Sequence, residues 1–274
     1  MVEVNLVQFY CEDQAHYLVE FLSRVGYSKE RSMRSSYTMV AKSAEALASK
    51  TFPRHTVFLL MANVSLAYHG YWDSEMIDNR RVLWFPLGVR RVFPRILPTE
   101  IPPSADRPYV FNLIISLSTS HTRQELADIA RGLNHHSFIH TISEWNKDFV
   151  GYLGPQEYKE KLLQSIFTLS PSWHNVECYR IYEACDAGSI PIIEDVDAHP
   201  GVSCKDSLAP FKNSNAPFIY LKNWKDLPDL LDQLLQDPEW IFRRQIELLE
   251  WNRKFKLATI SDFENRLAQM WGLQ

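Results

Sequence analysis

The sequence predicts an α/β protein built on parallel sheets, and three observations predict it. From Tyr109 onward, short apolar strands alternate with amphipathic helical stretches, the pattern of a parallel sheet with crossover helices. A segment carrying Pro94, Pro98, Pro102, Pro103 and Pro108 separates this half from an N-terminal part with strand signals of its own. A helically spaced run over 176–187 stops at Gly188 and leads directly into an apolar strand over 190–193, as one helix–strand unit of such a sheet would.

Before the Pro-rich segment, residues 2–9 read as a strand. Residues 13–25 have helical spacing through Tyr17, Leu18, Phe21, Leu22 and Val25, and 37–49, rich in Ala, Met and Lys, read as a second helix. Residues 56–62 and 81–87 read as buried strands. After it come a strand over 109–117, a helix over 121–131 ending at Gly132, a strand over 137–142, a helix over 156–165 and a strand over 166–169. The helix over 176–187 and the strand over 190–193 follow, then a strand over 217–221 and an amphipathic helix over 227–235. A last helix starts with Asp237 as N-cap and Pro238 as first helical residue and runs to about residue 267. The domain boundary is placed in the Pro-rich segment, giving residues 1–98 and 106–274 as two domains.

Composition narrows the function. With 274 residues, 46% hydrophobic and 23% charged, the chain can bury a sizeable core. Its net charge of −4 argues against general nucleic-acid binding, which calls for a basic surface. The longest apolar runs, 57–68 and 109–117, fall short of the ~18 residues of a membrane span. Glu3, Glu12 and Asp13 stand where a signal peptide would be basic, so neither a transmembrane nor a signal segment is read. The four cysteines, Cys11, Cys178, Cys185 and Cys204, include no closely spaced pair that suggests zinc or a redox motif. Cys178 and Cys185 lie ~10.5 Å apart along one helix, too far for a disulfide, and read as small buried hydrophobes. Asn63-Val64-Ser65 permits N-glycosylation and no more.

The chemistry is concentrated in the central helix. At about 100° per residue, with Glu177 at zero, Ala184 falls at about −20°, Arg180 at −60°, Ala187 at −80° and Glu183 at −120°. Ile181, Cys185, Cys178 and Tyr182 occupy the opposite, apolar flank. The charged flank mixes carboxylates with alanines, which leave room for a ligand. An arginine near the start of a helix can hold a phosphate through a planar fork, and a carboxylate suits a ribose diol. The plainer alternative is a Glu–Arg–Glu ion-pair ladder on a solvated face.

The pattern F-x-L-x-P-x(5)-E-x-x-R-x-x-E-A-x-x-x-G-x-I-P-I-I, beginning at Phe167, resembles the donor-binding motif of exostosin-type glycosyltransferases. Within that group, ECYRIYEACDAGSIPIIED and the later NAPFIYLKNWKDLPDLLD most resemble the ribitol-5-phosphate xylosyltransferases of dystroglycan O-mannose glycan synthesis. The resemblance covers residues 107–251 and reaches weakly back to WFPLGVRRVFP, starting at Trp84. It implies a GT-B-like fold, two Rossmann-like domains facing a cleft, with the first domain reduced. It implies an inverting transfer of xylose from UDP-xylose to a ribitol-phosphate-bearing O-mannosyl glycan, with no metal and no cofactor beyond the donor. It also implies a Golgi location and other Golgi glycosyltransferases as partners. Carried onto this chain, Arg180 would contact the UDP diphosphate and Glu183 the ribose hydroxyls, with Ser172, Asn175 and Glu177 lining the pocket. Trp173 departs from the family's usual glycine; it would narrow the turn or stack on uracil.

Other constellations are weighed beside it. Asp195-Val196-Asp197 is a DxD, which in another glycosyltransferase class holds a divalent ion. The favoured reading is an acidic turn, because the preceding helix already supplies a phosphate contact. Arg80, Arg81, Arg90, Arg91 and Arg95 could bind a phosphorylated acceptor or form a solvated edge. His135, His136 and His140 lack helical metal spacing and read as loop and strand residues. An inverting transfer needs a general base, and the segment after the strands of the first domain offers Asp73 first, with Glu75 and His69 behind it. Two competing readings are an exostosin-type transferase for another UDP-sugar and a catalytically silent domain that binds a nucleotide or a partner.

Overall fold

The computed structural model describes residues 5–8, 56–61, 64–69, 74, 82–90, 92–117, 121–143, 153–172, 176–196 and 206–270. The expected helices over 13–25 and 37–49 lie outside these residues. The chain divides into two compact units, Met1–Arg91 with Leu257–Gln274, and Val92–Lys256.

In the first unit, β1 (Asn5–Gln8), β2 (Thr56–Met61), β3 (Val64–His69) and β4 (Val82–Trp84) form one sheet in chain order. Among the described residues, the parallel pairing expected here is found between β3 and β4, while β1–β2 and β2–β3 are antiparallel. The apolar run over 57–68 is divided between β2 and β3, and the two residues between them are too few for the crossover that parallel strands need. Leu83 and Leu87 are buried, and Phe85 meets Phe263 edge-on at 6.0 Å between ring centroids.

The second unit carries the parallel sheet that the alternation predicts. Its strands are β5 (Tyr109–Ser116), β6 (Phe138–Ile142), β7 (Ser165–Ser170), β8 (Ile190–Glu194) and β9 (Ile219–Leu221). They pair in parallel in the order β6-β5-β7-β8-β9, the order of flavodoxin-like sheets. Strands of a sheet covered on both faces are apolar throughout rather than alternating. Phe111, Leu113 and Ile115 of β5, Phe167 and Leu169 of β7, and Ile190, Ile192 and Ile193 of β8 are accordingly buried.

The helices are α1 (His121–Gly132), α2 (Pro155–Leu163), α3 (Tyr179–Ala187), α4 (Ala209–Asn213), α5 (Leu227–Leu235) and α6 (Pro238–Met270). Asp237 accepts the backbone N–H of Trp240 at 2.8 Å, so the start of α6 is capped as its sequence predicts. Phe211, Phe218, Trp251 and Phe255 form an aromatic cluster around α4, with Trp251 and Phe255 stacked at 4.8 Å.

The Pro-rich segment is docked on the second unit. Arg107, 5% exposed, donates to the carbonyls of Pro102, Leu162, Ser165 and Ala187, which include the last turns of α2 and α3. Burial pushes its guanidinium down to about 9, still a cation at neutral pH, and cations are favoured at helix carboxyl ends. Gln245 of α6 accepts from the Ser104 N–H and donates to the carbonyls of Pro102 and Gly188. Gly188 ends α3 at φ 63°, and a β-carbon there would lie 3.0 Å from Ile101, 3.2 Å from Arg107 and 3.3 Å from Gln245.

Candidate functional site

The strand order reverses between β5 and β7, and an open α/β sheet takes its ligand at the carboxyl ends of the strands beside such a reversal. Those ends are Ser116 on β5 and Ser170 on β7, the latter running through Pro171 and Ser172 toward α3. Glu194 closes β8 next to them.

Ser172 is fully buried and held from two sides. Its backbone N–H donates to Glu194 Oε2 at 2.8 Å, and its hydroxyl donates to the same oxygen. Its carbonyl accepts from Arg123 Nε at 2.9 Å, while Arg123 Nη1 donates to the Ser116 carbonyl at 3.1 Å and its hydroxyl at 3.3 Å. One arginine of α1 thereby ties the end of β5 to the turn that leaves β7. Arg123 is 4% exposed. Burial, and then the positive charge of Arg180, push its guanidinium down to about 10, with Cys178 and Glu194 acting the other way. It remains a cation at neutral pH.

Arg180 stands in the first turn of α3 and is half-buried. Among the described residues its Nε is enclosed with no hydrogen-bond partner, and its Nη1 lies 4.0 Å from the Cys178 sulfur. A buried guanidinium N–H without a partner is uncommon, and it leaves Arg180 able to bond an incoming anion. Cys178 is the N-cap of α3 but makes no side-chain cap, and its thiol lies 3.3 Å from the Ser170 hydroxyl. Cys178 and Cys185 are both free, and burial pushes the Cys185 thiol well up.

The open, alanine-lined flank that the helical wheel suggests is not found. Ala184 and Ala187 are fully buried, and Glu177 and Glu183 are 2% and 1% exposed. Glu177 accepts the Tyr182 hydroxyl, and Glu183 accepts the Tyr158 hydroxyl at 2.8 Å. Asp186 on the same helix takes Lys256 and Asn252 of α6. The wheel knows one partner for α3, the sheet; α2 and α6 supply two more and close the flank. The Tyr182 phenol is driven well above its ordinary value by burial and by the negative Glu177 beside it.

Among the other candidates, Asp195 of the DxD is ion-paired with Lys212 at 2.6 Å. His135 faces the Asp232 carboxylate at 3.4 Å, His136 Nδ1 lies 2.7 Å from the Pro108 carbonyl, and His140 stands on β6, as loop and strand residues. Arg95 is exposed. Asp73, Glu75, Arg80, Arg81, Arg91, Trp173, Asn175 and Asp197 lie outside the described residues. Sequence reasoning missed Arg123, Glu194 as the brace of Ser172, and the tyrosines that hold the two carboxylates. Arg123 had one readable signal: a cation in the first turn of a helix opposes the macrodipole, so another interaction must hold it there.

Comparisons with known proteins agree with the motif. The RXYLT1 C-terminal domain family matches residues 90–271. Ribitol-5-phosphate xylosyltransferase 1 of Mus musculus is 36% identical over 203 residues, covering 68% of this chain and 44% of the relative. The Homo sapiens protein of the same name is 36% identical over 220 residues, covering 72% of this chain and 46% of the relative. The chain thus spans about half the length of these relatives. Among solved structures, TarM aligns with a TM-score of 0.39 at 14% identity, over 69% of this chain and 39% of that one. The calicheamicin glycosyltransferase CalG4 aligns with a TM-score of 0.34 at 14% identity, over 95% of this chain and 69% of that one. The family match takes in the strand reversal, Arg123, Ser172, Arg180 and Glu194 together, and by it the chain belongs to the RXYLT1 C-terminal domain family.

Proposed function

We propose that this chain carries the donor-binding part of an inverting xylosyltransferase. The enzyme would move xylose from UDP-xylose to a ribitol-phosphate-bearing O-mannosyl glycan. The observation that carries the reading is Arg180, whose enclosed Nε lacks a partner at the strand reversal of a sheet in this family. Relatives of the chain are named ribitol-5-phosphate xylosyltransferases, which supports xylose as the sugar and ribitol phosphate as the acceptor.

In this mechanism Arg180 bonds the UDP diphosphate through charge-assisted N–H donors. The N–H and hydroxyl of Ser172 are engaged by Glu194, so Ser172 shapes the turn that faces the phosphates. Glu177 and Glu183 are engaged by Tyr182 and Tyr158, and Asn175 is the remaining residue of the motif assigned to the donor. The acceptor hydroxyl loses its proton to a general base, Asp73 in first place and Glu75 in second. Its oxygen attacks the anomeric carbon of xylose from the face opposite UDP. A new C–O bond forms, the bond from the anomeric carbon to the diphosphate oxygen breaks, and UDP leaves with its charge met by arginine rather than by a metal. The setting would be the Golgi, beside other glycosyltransferases of the same glycan. Among the described residues, no helix is long and apolar enough to cross a membrane.

A panel of sugar nucleotides on the purified chain tests the reading, with UDP binding by calorimetry and transfer to a ribitol-phosphate acceptor in EDTA. UDP binding, turnover of UDP-xylose above the other donors and activity that survives EDTA are the expected results. No UDP binding overturns the reading. UDP binding with turnover of another sugar assigns a different donor, and UDP binding without turnover of any donor leaves a silent nucleotide-binding domain.

A further inference from the structure

Arg123 is a buried cation that the proposed chemistry does not use. It lies on α1, outside the motif that carries the family resemblance, yet it reaches the same strand reversal. Its fork is spent on two strand ends: Nε on the Ser172 carbonyl after β7, Nη1 on the Ser116 carbonyl and hydroxyl at the end of β5. Glu194 holds the other side of the Ser172 turn. Ser172 is gripped from both sides, and a one-ångström drift there is enough to spoil anion contacts. The second fact is charge. Arg123 Nε holds the Ser172 carbonyl, and two residues upstream the Ser170 hydroxyl lies 3.3 Å from the Cys178 sulfur, itself 4.0 Å from Arg180 Nη1, so a buried and a half-buried guanidinium meet at one strand end and repel. A ligand that brings several negative charges relieves that repulsion, and one that brings fewer relieves it less.

We infer that Arg123 is a positioning residue of the donor site, fixing the Ser172 turn against β5 and adding a second positive charge beside Arg180, so that the site selects a nucleoside diphosphate over a monophosphate. This rests on the UDP-site reading above and adds the residue that sets its phosphate-number preference. Glu194, whose charge opposes that of Arg123, limits the same preference.

The test is calorimetry of UDP and UMP on the full chain, comparing the wild type with Arg123→Met, Arg123→Lys, Glu194→Gln and Arg180→Ala, each checked for native circular dichroism. Arg123→Met is expected to weaken UDP at least tenfold and UMP less than threefold, collapsing the UDP-to-UMP ratio. Arg123→Lys, which keeps the charge and loses the fork, is expected to recover part of that ratio. Glu194→Gln keeps an acceptor for Ser172 and removes the opposing charge, so UDP is expected to tighten several-fold. A merely structural Arg123 would change both nucleotides equally. Equal loss of UDP and UMP in Arg123→Met, or no loss of UDP, overturns the inference. Should Arg123→Met not fold, unchanged or weaker UDP binding in Glu194→Gln overturns it. UDP binding in the wild type that Arg180→Ala weakens while the Arg123 variants keep the wild-type ratio sinks this inference alone; no UDP binding in the wild type sinks the site reading with it.

Discussion

At the scale of single residues, the contrast between Arg180 and its two neighbouring carboxylates decides what the site can do. Arg180 keeps an enclosed, unbonded N–H, whereas Glu177 and Glu183 each already hold a tyrosine hydroxyl. Arg180→Ala is therefore expected to weaken UDP binding by about 1.5–3 kcal/mol, the value of a charged hydrogen bond, with the fold intact. Calorimetry beside circular dichroism checks both halves of that statement. Tyr158→Phe should act the other way round, on stability first. It leaves a buried carboxylate short of one donor and should cost about 1–3 kcal/mol in urea unfolding. Tyr182 adds a pH dependence whose sign follows from its raised value. The unfolded phenol ionises near 10 and the folded one well above, so the unfolded state releases its proton first. The stabilisation is complete below about pH 10 and is lost as the pH rises toward the folded value. Urea midpoints should fall as the pH rises above about 10, and Tyr182→Phe should make that fall shallower.

At the scale of elements, α3 shows what was legible and what was not. The helix over 176–187, its stop at Gly188 and the strand after it follow from spacing and one glycine, because these are local properties of the chain. The alternation of the whole second unit was legible for the same reason. Which sides of α3 are covered is not local: Tyr158 comes from α2 and Lys256 from α6, 25 and 70 residues away. Nor could periodicity reveal antiparallel pairing in the first sheet, since a buried strand reads alike in either direction. The amino-edge clamp was equally hidden. Pro102, Arg107 and Gln245 meet at Gly188 although the sequence there reads as a Pro-rich connection. That clamp yields a prediction at its own scale. Gly188→Ala puts a β-carbon at φ 63°, 3.0 Å from Ile101, and left-handed strain alone costs about 1–2 kcal/mol. Arg107→Met should cost more, ~3 kcal/mol or above, because the buried carbonyls at the ends of α2 and α3 lose their donor together. Urea unfolding should place both variants below the wild type in that order, with UDP affinity preserved in each at temperatures where it stays folded.

At the scale of the molecule, the second unit sets its buried structural clamp and the proposed donor site at opposite edges of its sheet. Arg107, Gly188 and Gln245 gather at the amino edge, beside the carbonyl end of α3, while Arg123, Ser172, Arg180 and Glu194 gather at the carboxyl edge. Conformational change on nucleotide binding should therefore be uneven. A ligand at one hundred times its dissociation constant stabilises the state that binds it by about 2.7 kcal/mol. Local openings that break the site gain that protection, whereas openings that leave the site intact gain nothing. Hydrogen exchange with and without saturating UDP should show slowing in peptides that hold the end of β5, the start of α1, the turn after β7 and the first turn of α3. Peptides around Pro102 to Arg107 and Gly188 should exchange as before wherever they open without disturbing the crevice. The Arg123→Met protein should show less slowing at the end of β5 than in the turn after β7, because the link that couples them is gone. Uniform slowing across both edges would mean that UDP stabilises the unit as a block, and slowing confined to the amino edge would move the site away from the strand reversal.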